Sequence, residues 1–118
     1  MMTQSKAWGQ TTQLIRRENF EVHRIVIEAG GYCSKHYHNA KYNSFYVESG
    51  QLDIHVYNED SELEDVTRLG PGDMTSVSPG RLHMFEAMEK TIAYEIYWAE
   101  ISDDIVRQSY GGIRGQRK

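Results

Sequence analysis

The feature that most constrains this chain is its punctuation. Short runs of β-branched and aromatic residues follow one another closely: FEVHRIVIE, YCSKHYH, YNSFYVES, QLDIHVY, DVTRL, MTSVS, RLHMFEA and TIAYEIYWAE. Between them stand turn residues: Ala29-Gly30-Gly31, Ser49-Gly50-Gln51, the polar stretch Asn58 to Asp65, Leu69-Gly70-Pro71-Gly72-Asp73, and Ser78-Pro79-Gly80. Runs of this length bounded by glycine and proline read as strands joined by tight turns, and eight short strands are predicted. Leu52, Ile54 and Val56 alternate with Asp53, His55 and Tyr57, which puts one face of that strand inside. Helical periodicity is weak until Ser102-Asp103-Asp104, whose acids suit the start of a short helical turn. The fold class expected is therefore all-β, an antiparallel sandwich or barrel.

At 118 residues the chain has the length of one domain, 1–118, with a barrel core over about 20–100. The first dozen or so residues stand outside that core in this reading. The formal charge of −4 is dispersed, apart from an acidic cluster in NEDSELED and the basic Arg114, Arg117 and Lys118. No basic stripe exists to meet phosphates, so nucleic acid is not an expected partner. One cysteine, Cys33, cannot form a disulfide framework within the chain, which favours a reducing compartment. No apolar run reaches membrane-spanning length, and MMTQSKAWGQ lacks a signal peptide's apolar segment. A cytoplasmic location and no membrane partner are the expectation. Strands this rich in aromatic residues suggest an outer face covered by pairing, and hence a homodimer.

The chemistry concentrates in GGYCSKHYHNAKYNSFYVESG. Residues two apart in a strand share a face, so His36 and His38 point the same way, at a metal-ligand spacing. His83 follows the turn Ser78-Pro79-Gly80, in a strand that a barrel could bring beside the pair. Neutral imidazoles suit one divalent transition metal (Zn, Fe, Mn, Ni or Co), and three protein nitrogens leave positions open for water or substrate. His23 and His55 lie in strands without a partner at ligand spacing. Cys33 is an odd number of residues from His36; regular strand geometry turns it away from the metal as a buried structural thiol. Lys41 and Arg81 flank the ligand segments and are candidates to meet an anionic substrate.

These residues resemble the cupins, whose fold is a double-stranded β-helix, the jelly-roll barrel. The first cupin motif is met by Gly30, His36, His38 and Gly50, with Asn43 at the position of its glutamate ligand. The second is met by Gly72, Gly80 and His83; the proline has slipped from Ser78 to Pro79, and Ala87 stands where an asparagine is usual. The resemblance implies metal ligation by His36, His38, Asn43 and His83, and a short helical or irregular extension after the barrel. A narrower similarity, through Trp8-Gly9, Val22 to Ile25, Tyr46 to Gly50, Pro71-Gly72-Asp73, Asp103 to Arg107 and Tyr110-Gly111, points to the type II mannose-6-phosphate isomerase cupins. There glutamine commonly takes the place of His36 and arginine that of Lys41.

An amide oxygen is a neutral, weaker ligand than a carboxylate and cannot act as a general base, so proton abstraction would fall to another group. Glu95, in Ala93-Tyr94-Glu95-Ile96-Tyr97, is the catalytic candidate and matches a glutamate frequent in isomerase-like cupins. Alternation leaves its direction open, because both faces of that strand carry aromatic rings. Three functions are compatible with this set. One is an aldose–ketose isomerase of a phosphorylated sugar such as mannose-6-phosphate, with Lys41 or Arg81 on the phosphate. Another is a three-histidine non-haem iron dioxygenase of a small organic substrate. The third is a non-catalytic cupin that binds a carbohydrate or other small molecule.

Overall fold

A computed structural model describes residues 2–99. Nine strands run through them: β1 (Met2–Lys6), β2 (Gly9–Arg16), β3 (Phe20–Ile27), β4 (Tyr42–Ser49), β5 (Leu52–Tyr57), β6 (Leu63–Leu69), β7 (Met74–Val77), β8 (Leu82–Ala87) and β9 (Thr91–Trp98). All pairings between them are antiparallel, in a six-stranded sheet of order β1-β2-β3-β9-β4-β7 and a three-stranded sheet β6-β5-β8. This is the all-β architecture expected of a double-stranded β-helix. Among the described residues no helix is long and apolar enough to cross a membrane. The expected helical turn at Ser102-Asp103-Asp104, the C-terminal extension and the basic tail lie outside the described residues.

Two expectations about strands need correction. The opening residues set aside above form β1 and β2, and β2 pairs with β3 from Gly9↔Ile27 to Arg16↔Glu21. Polar alternation in QTTQLIR concealed them, because an outer strand buries little side chain. Conversely, YCSKHYH is no continuous strand: it touches β8 only through isolated bridges at Tyr32↔Glu86 and His36↔His83. The physical reason is local, since the Phe85 amide donates to Cys33 Sγ at 3.2 Å instead of to a main-chain carbonyl. A thiol in the ladder interrupts it.

The core lies between the two sheets and is built by alternation. Ile25 and Ile27 of β3, Phe45 and Val47 of β4, Leu52 and Ile54 of β5, Phe85 and Ala87 of β8, and Ala93 of β9 are all buried. Each large apolar side chain among them contributes roughly 1.5–3 kcal/mol by leaving water. On β5 the opposite face carries Asp53, which Arg68 grips through two hydrogen bonds of 2.8 and 2.9 Å across the β5–β6 pair. Gly50 turns the chain between β4 and β5 at φ 93°, where an added Cβ would stand 2.5 Å from the Lys90 carbonyl oxygen. At Gly9 the approach is closer still, 1.9 Å to the Val26 oxygen, so the β1–β2 hairpin can lie against β3 only without a side chain there. Trp8, in the turn of that hairpin, packs edge-on against Phe85 with ring centroids 5.1 Å apart.

Register decides where polar chemistry can sit. On β3 the inward set is Glu21, His23, Ile25 and Ile27; on β9 it is Thr91, Ala93, Glu95 and Tyr97; on β4 it is Asn43, Phe45 and Val47. Cross-strand pairing aligns His23 with Glu95 and Phe45, and Glu21 with Tyr97 and Asn43. Each strand is therefore apolar at one end and polar at the other, and the polar ends form one wall at the mouth of the barrel.

Candidate metal centre

The histidines are delivered by two neighbouring segments. Residues 30–38 run along the free edge of β8: Gly30 donates to the Ala87 carbonyl at 2.9 Å, and Cys33 to that of Phe85 at 3.1 Å. His36 and His83 exchange both main-chain bonds, at 3.0 and 2.8 Å, and Gly80 donates to the His38 carbonyl at 2.7 Å. This fixes the backbone beneath all three rings. Centroids lie 4.6 Å apart for His36 and His83, 5.0 Å for His36 and His38, and 5.7 Å for His38 and His83. One ring nitrogen from each lies within 4.8 Å of the other two.

Hydrogen bonding sets which nitrogens face inward. His36 Nδ1–H donates to the Ser34 carbonyl at 2.7 Å, and His83 Nδ1–H to the Arg81 carbonyl at 2.8 Å. A neutral imidazole whose Nδ1 carries the proton presents a lone pair at Nε2. His83 is held neutral: burial, opposed by the bond to Arg81 and helped by the neighbouring His36 and His38, pushes its pKa down to about 4. Burial, then the charges of His36 and Lys41, likewise lowers that of His38. Among the described residues His38 Nε2 is the one buried side-chain nitrogen or oxygen without a hydrogen-bond partner. An unpaired buried nitrogen beside two imidazoles whose Nδ1 atoms are engaged by main-chain carbonyls is the donor set of a transition-metal site, and these residues fit one.

Asn43 is fully buried behind this cluster. Its Oδ1 stands 3.2 Å from His83 Nε2, and its Nδ2 donates to Glu95 Oε2 at 3.4 Å. With the His83 proton on Nδ1, the oxygen and Nε2 are two acceptors facing one another, a clash that a shared cation would relieve. Glu95 is itself buried, and Tyr97 donates its hydroxyl to the same Oε2 at 2.9 Å. Both bonds fall on Oε2, leaving Oε1 unengaged. Burial raises the Glu95 pKa against the hydrogen bonds from Tyr97 and Asn43 and the positive fields of His23 and His36. The Tyr97 hydroxyl is pushed up as well, by burial and by Glu95.

A cavity of about 750 Å³ opens onto this wall, lined by His36, Glu95, Tyr97 and His23 and closed on one side by Lys6 and Trp8 of the N-terminal hairpin. Cys33 lines it too, because the interrupted segment does not alternate as a regular strand; burial pushes its thiol up to about 12. Lys41 stands outside, 3.4 Å from Glu21 Oε1 and 5.7 Å from the centre of the Tyr97 ring, on a smaller hollow that shares Tyr97. Arg81 forms an ion pair with Glu64 in a separate groove beside Tyr37 and Tyr57. The histidines, Asn43 and Glu95 thus come together, while Lys41 and Arg81 lie apart from them.

Sequence reasoning missed Glu21, His23 and Tyr97. The alternation of β3 held a usable sign, since His23 shares a face with Ile25 and Ile27, which are wholly buried.

Comparison with known proteins agrees with the fold. No curated protein sequence matches the chain. Among solved structures it is similar to KdgF from Halomonas sp., with 16% identity, 89% of this chain and 92% of that one covered, and a TM-score of 0.72. It is similar to an RmlC-like cupin from Shewanella frigidimarina, with 19% identity, 88% of each chain covered and a TM-score of 0.69. It also resembles a single-residue variant of oxalate decarboxylase from Bacillus subtilis, with 17% identity, 83% of this chain and 27% of that one covered, and a TM-score of 0.71. Identities this low speak to architecture alone. Residues 23–100 match the family model of the cupin domain, and they contain all three histidines, Asn43 and Glu95; the chain belongs to the cupin family.

Proposed function

We propose that this cupin is a metal-dependent aldose–ketose isomerase of a phosphorylated sugar, with Glu95 as the group that carries the proton between carbons. The observation behind this reading is the placement of Glu95: a buried carboxyl with one oxygen anchored by Asn43 and Tyr97, the other unengaged, on the wall of the cavity that His36 also lines. His36, His38 and His83, with Asn43 Oδ1 as a fourth donor, would hold one divalent ion, which supplies Lewis-acid polarisation of a substrate oxygen when bound. Glu95 as carboxylate takes the proton from the hydroxyl-bearing carbon and returns it to the neighbouring carbon. Burial raises its pKa, which makes the carboxylate a stronger base. Tyr97 and Asn43 fix the carboxyl rather than compete for its free oxygen. Lys6 on the cavity wall supplies positive charge for the phosphate; Lys41 and Arg81, claimed by Glu21 and Glu64, take no part in this reading.

The test is interconversion of mannose-6-phosphate and fructose-6-phosphate by protein loaded in turn with Zn, Fe, Mn, Ni and Co. Turnover with at least one metal, reduced about 10²–10⁴-fold by Glu95→Gln, is expected. Absence of turnover with every metal refutes the proposal. A second reading rests on a different observation, the wholly neutral donor set of His36, His38, His83 and Asn43, which also suits iron in a dioxygenase of a small organic substrate. Oxygen consumption by iron-loaded protein separates the two, because isomerisation leaves dioxygen untouched.

A further inference from the structure

The polar wall holds a second group able to move protons, which the reading above does not use. His23 projects inward from β3 beside the Glu95 strand position, and it lines the same cavity as His36 and Glu95. Its Nε2 lies 3.1 Å from Glu21 Oε2, with the two side chains mostly buried. A carboxylate only accepts, so Nε2 carries the proton in that bond and Nδ1 of the neutral ring keeps its lone pair. Glu21 is fixed in turn: its other oxygen is 3.4 Å from Lys41 Nζ and 3.7 Å from Arg16 Nε. The Tyr97 ring stands edge-on to His23 at 5.7 Å. A histidine oriented by an anchored carboxylate, with its second nitrogen free on a cavity wall, is the arrangement that acid–base chemistry on a substrate hydroxyl requires.

We propose that His23, oriented by Glu21, is the second proton-transfer residue of this site, moving the proton between the two substrate oxygens while Glu95 moves it between the two carbons. The inference rests on the isomerase reading and assigns it a division of labour. Glu95 removes the proton from C2, the C–H electron pair becomes the C1–C2 double bond, and the carbonyl pair moves onto O1, which stays anionic until His23 delivers to it the proton taken from O2. The O2 hydroxyl then loses its proton, its electron pair forms the new carbonyl, and C1 recovers the proton held by Glu95. His23 accepts the O2 proton at Nδ1 and supplies the O1 proton from the same nitrogen, so the ring and both carboxylates end each turnover unchanged. Glu21 is a positioning residue: it fixes the tautomer and balances the imidazolium. The charged or titratable groups around the ring are Glu21 on its own strand, Glu95 and Tyr97 on β9, Lys41 and Arg16 through Glu21, and Lys6, Cys33 and His36 on the cavity wall; Gln13 is its partner on β2.

Two measurements test it. Ring nitrogen chemical shifts of His23 in the wild-type protein should show the Nε2–H tautomer, and Glu21→Gln should weaken that preference. In the isomerase assay His23→Asn should lower kcat by about 10²-fold or more with KM changed less than about threefold, and should remove one limb of the pH–rate profile. Glu21→Gln should lower kcat about tenfold and move that limb, as a merely structural contact would not. His23→Gln serves as the second variant if His23→Asn does not fold. An Nδ1–H tautomer, or His23 variants with wild-type kcat and pH profile in an enzyme that Glu95→Gln disables, overturns the role of His23 and leaves the isomerase reading standing. Wild-type protein inactive with every metal overturns both.

Discussion

His38 offers the sharpest test, because its predicted effect has a sign that ordinary destabilisation cannot imitate. Its Nε2 is buried without a partner among the described residues. Leaving such a group unsatisfied costs about 1–3 kcal/mol, a large share of the roughly 5–15 kcal/mol that holds a domain folded. Replacing His38 by Phe keeps a ring against His36 and Tyr97, whose centroids lie 5.0 and 5.2 Å away, and removes the stranded nitrogen. In metal-free protein the variant should therefore equal or exceed wild type by up to about 3 kcal/mol, with imperfect packing taking back part of the gain. At about 4 °C per kcal/mol for a chain of this size, that is a Tm unchanged or raised by up to about 12 °C. With metal the order reverses. An ion at about 100 times its Kd stabilises the wild type by about 2.7 kcal/mol, and His38→Phe should forfeit most of that shift. Urea denaturation after chelation and again with each metal measures both effects, and His38→Leu controls for the larger ring. A metal-free His38→Phe protein less stable than wild type by about 2 kcal/mol or more, with the metal shift intact, would refute the reasoning.

Two further predictions use the same physical terms. Asn43→Ala removes the Nδ2 bond to Glu95 and the oxygen at His83, leaving a buried carboxyl with Tyr97 as its remaining donor; stability should fall by about 1–3 kcal/mol and metal affinity with it, checked by denaturation and competitive chelation. The Asp53 pKa is depressed by its hydrogen bonds from Arg68, so the unfolded state binds the proton more readily. The pair's stabilisation is then full above the unfolded aspartate value of about 3.9 and is lost as pH falls through the lower folded value. Urea midpoints followed from about pH 7 to about 2.5 should drop more steeply for wild type than for Asp53→Asn, and parallel curves would contradict this.

Much of the fold and part of the site could be read from residue order. Alternation and turn residues located seven of the nine strands, from β3 through β9; most bury one face against the opposite sheet, while β6, exposed along most of its length, was marked by the turns that bound it. β1 escaped because every residue in Met2–Lys6 is exposed, and β2 because its face is only half covered. The histidines were visible through spacing, although the strand assumed for His36 and His38 is an irregular segment laid along β8. Their convergence depends on the mutual main-chain bonds of His36 and His83 rather than on alternation. Lys41 and Arg81 show the opposite case: proximity in sequence to a ligand says nothing about which carboxylate claims the side chain in space, and Glu21 and Glu64 do so here.

The amide at position 43 is better understood from its neighbours than from the ligand position alone. A carboxylate there would stand against Glu95, whose Oε2 is 3.4 Å from Asn43 Nδ2, in a buried setting where two negative charges cannot both persist. Asparagine meets both sides at once, its oxygen toward the imidazoles and its nitrogen toward the acid. The negative charge that a glutamate ligand would place on the metal is thereby displaced one residue outward, onto a carboxyl with an unengaged oxygen on the cavity wall. With no ion between them Glu95 makes an acidic residue at 43 costly, whereas the amide at 43 donates to Glu95 Oε2 and holds the carboxyl in place. Introducing the acid by Asn43→Asp should then strengthen metal binding, read by competitive chelation, while raising the Glu95 pKa further, read from the acid limb of the pH–rate profile, so the gain at one site is a loss at the other.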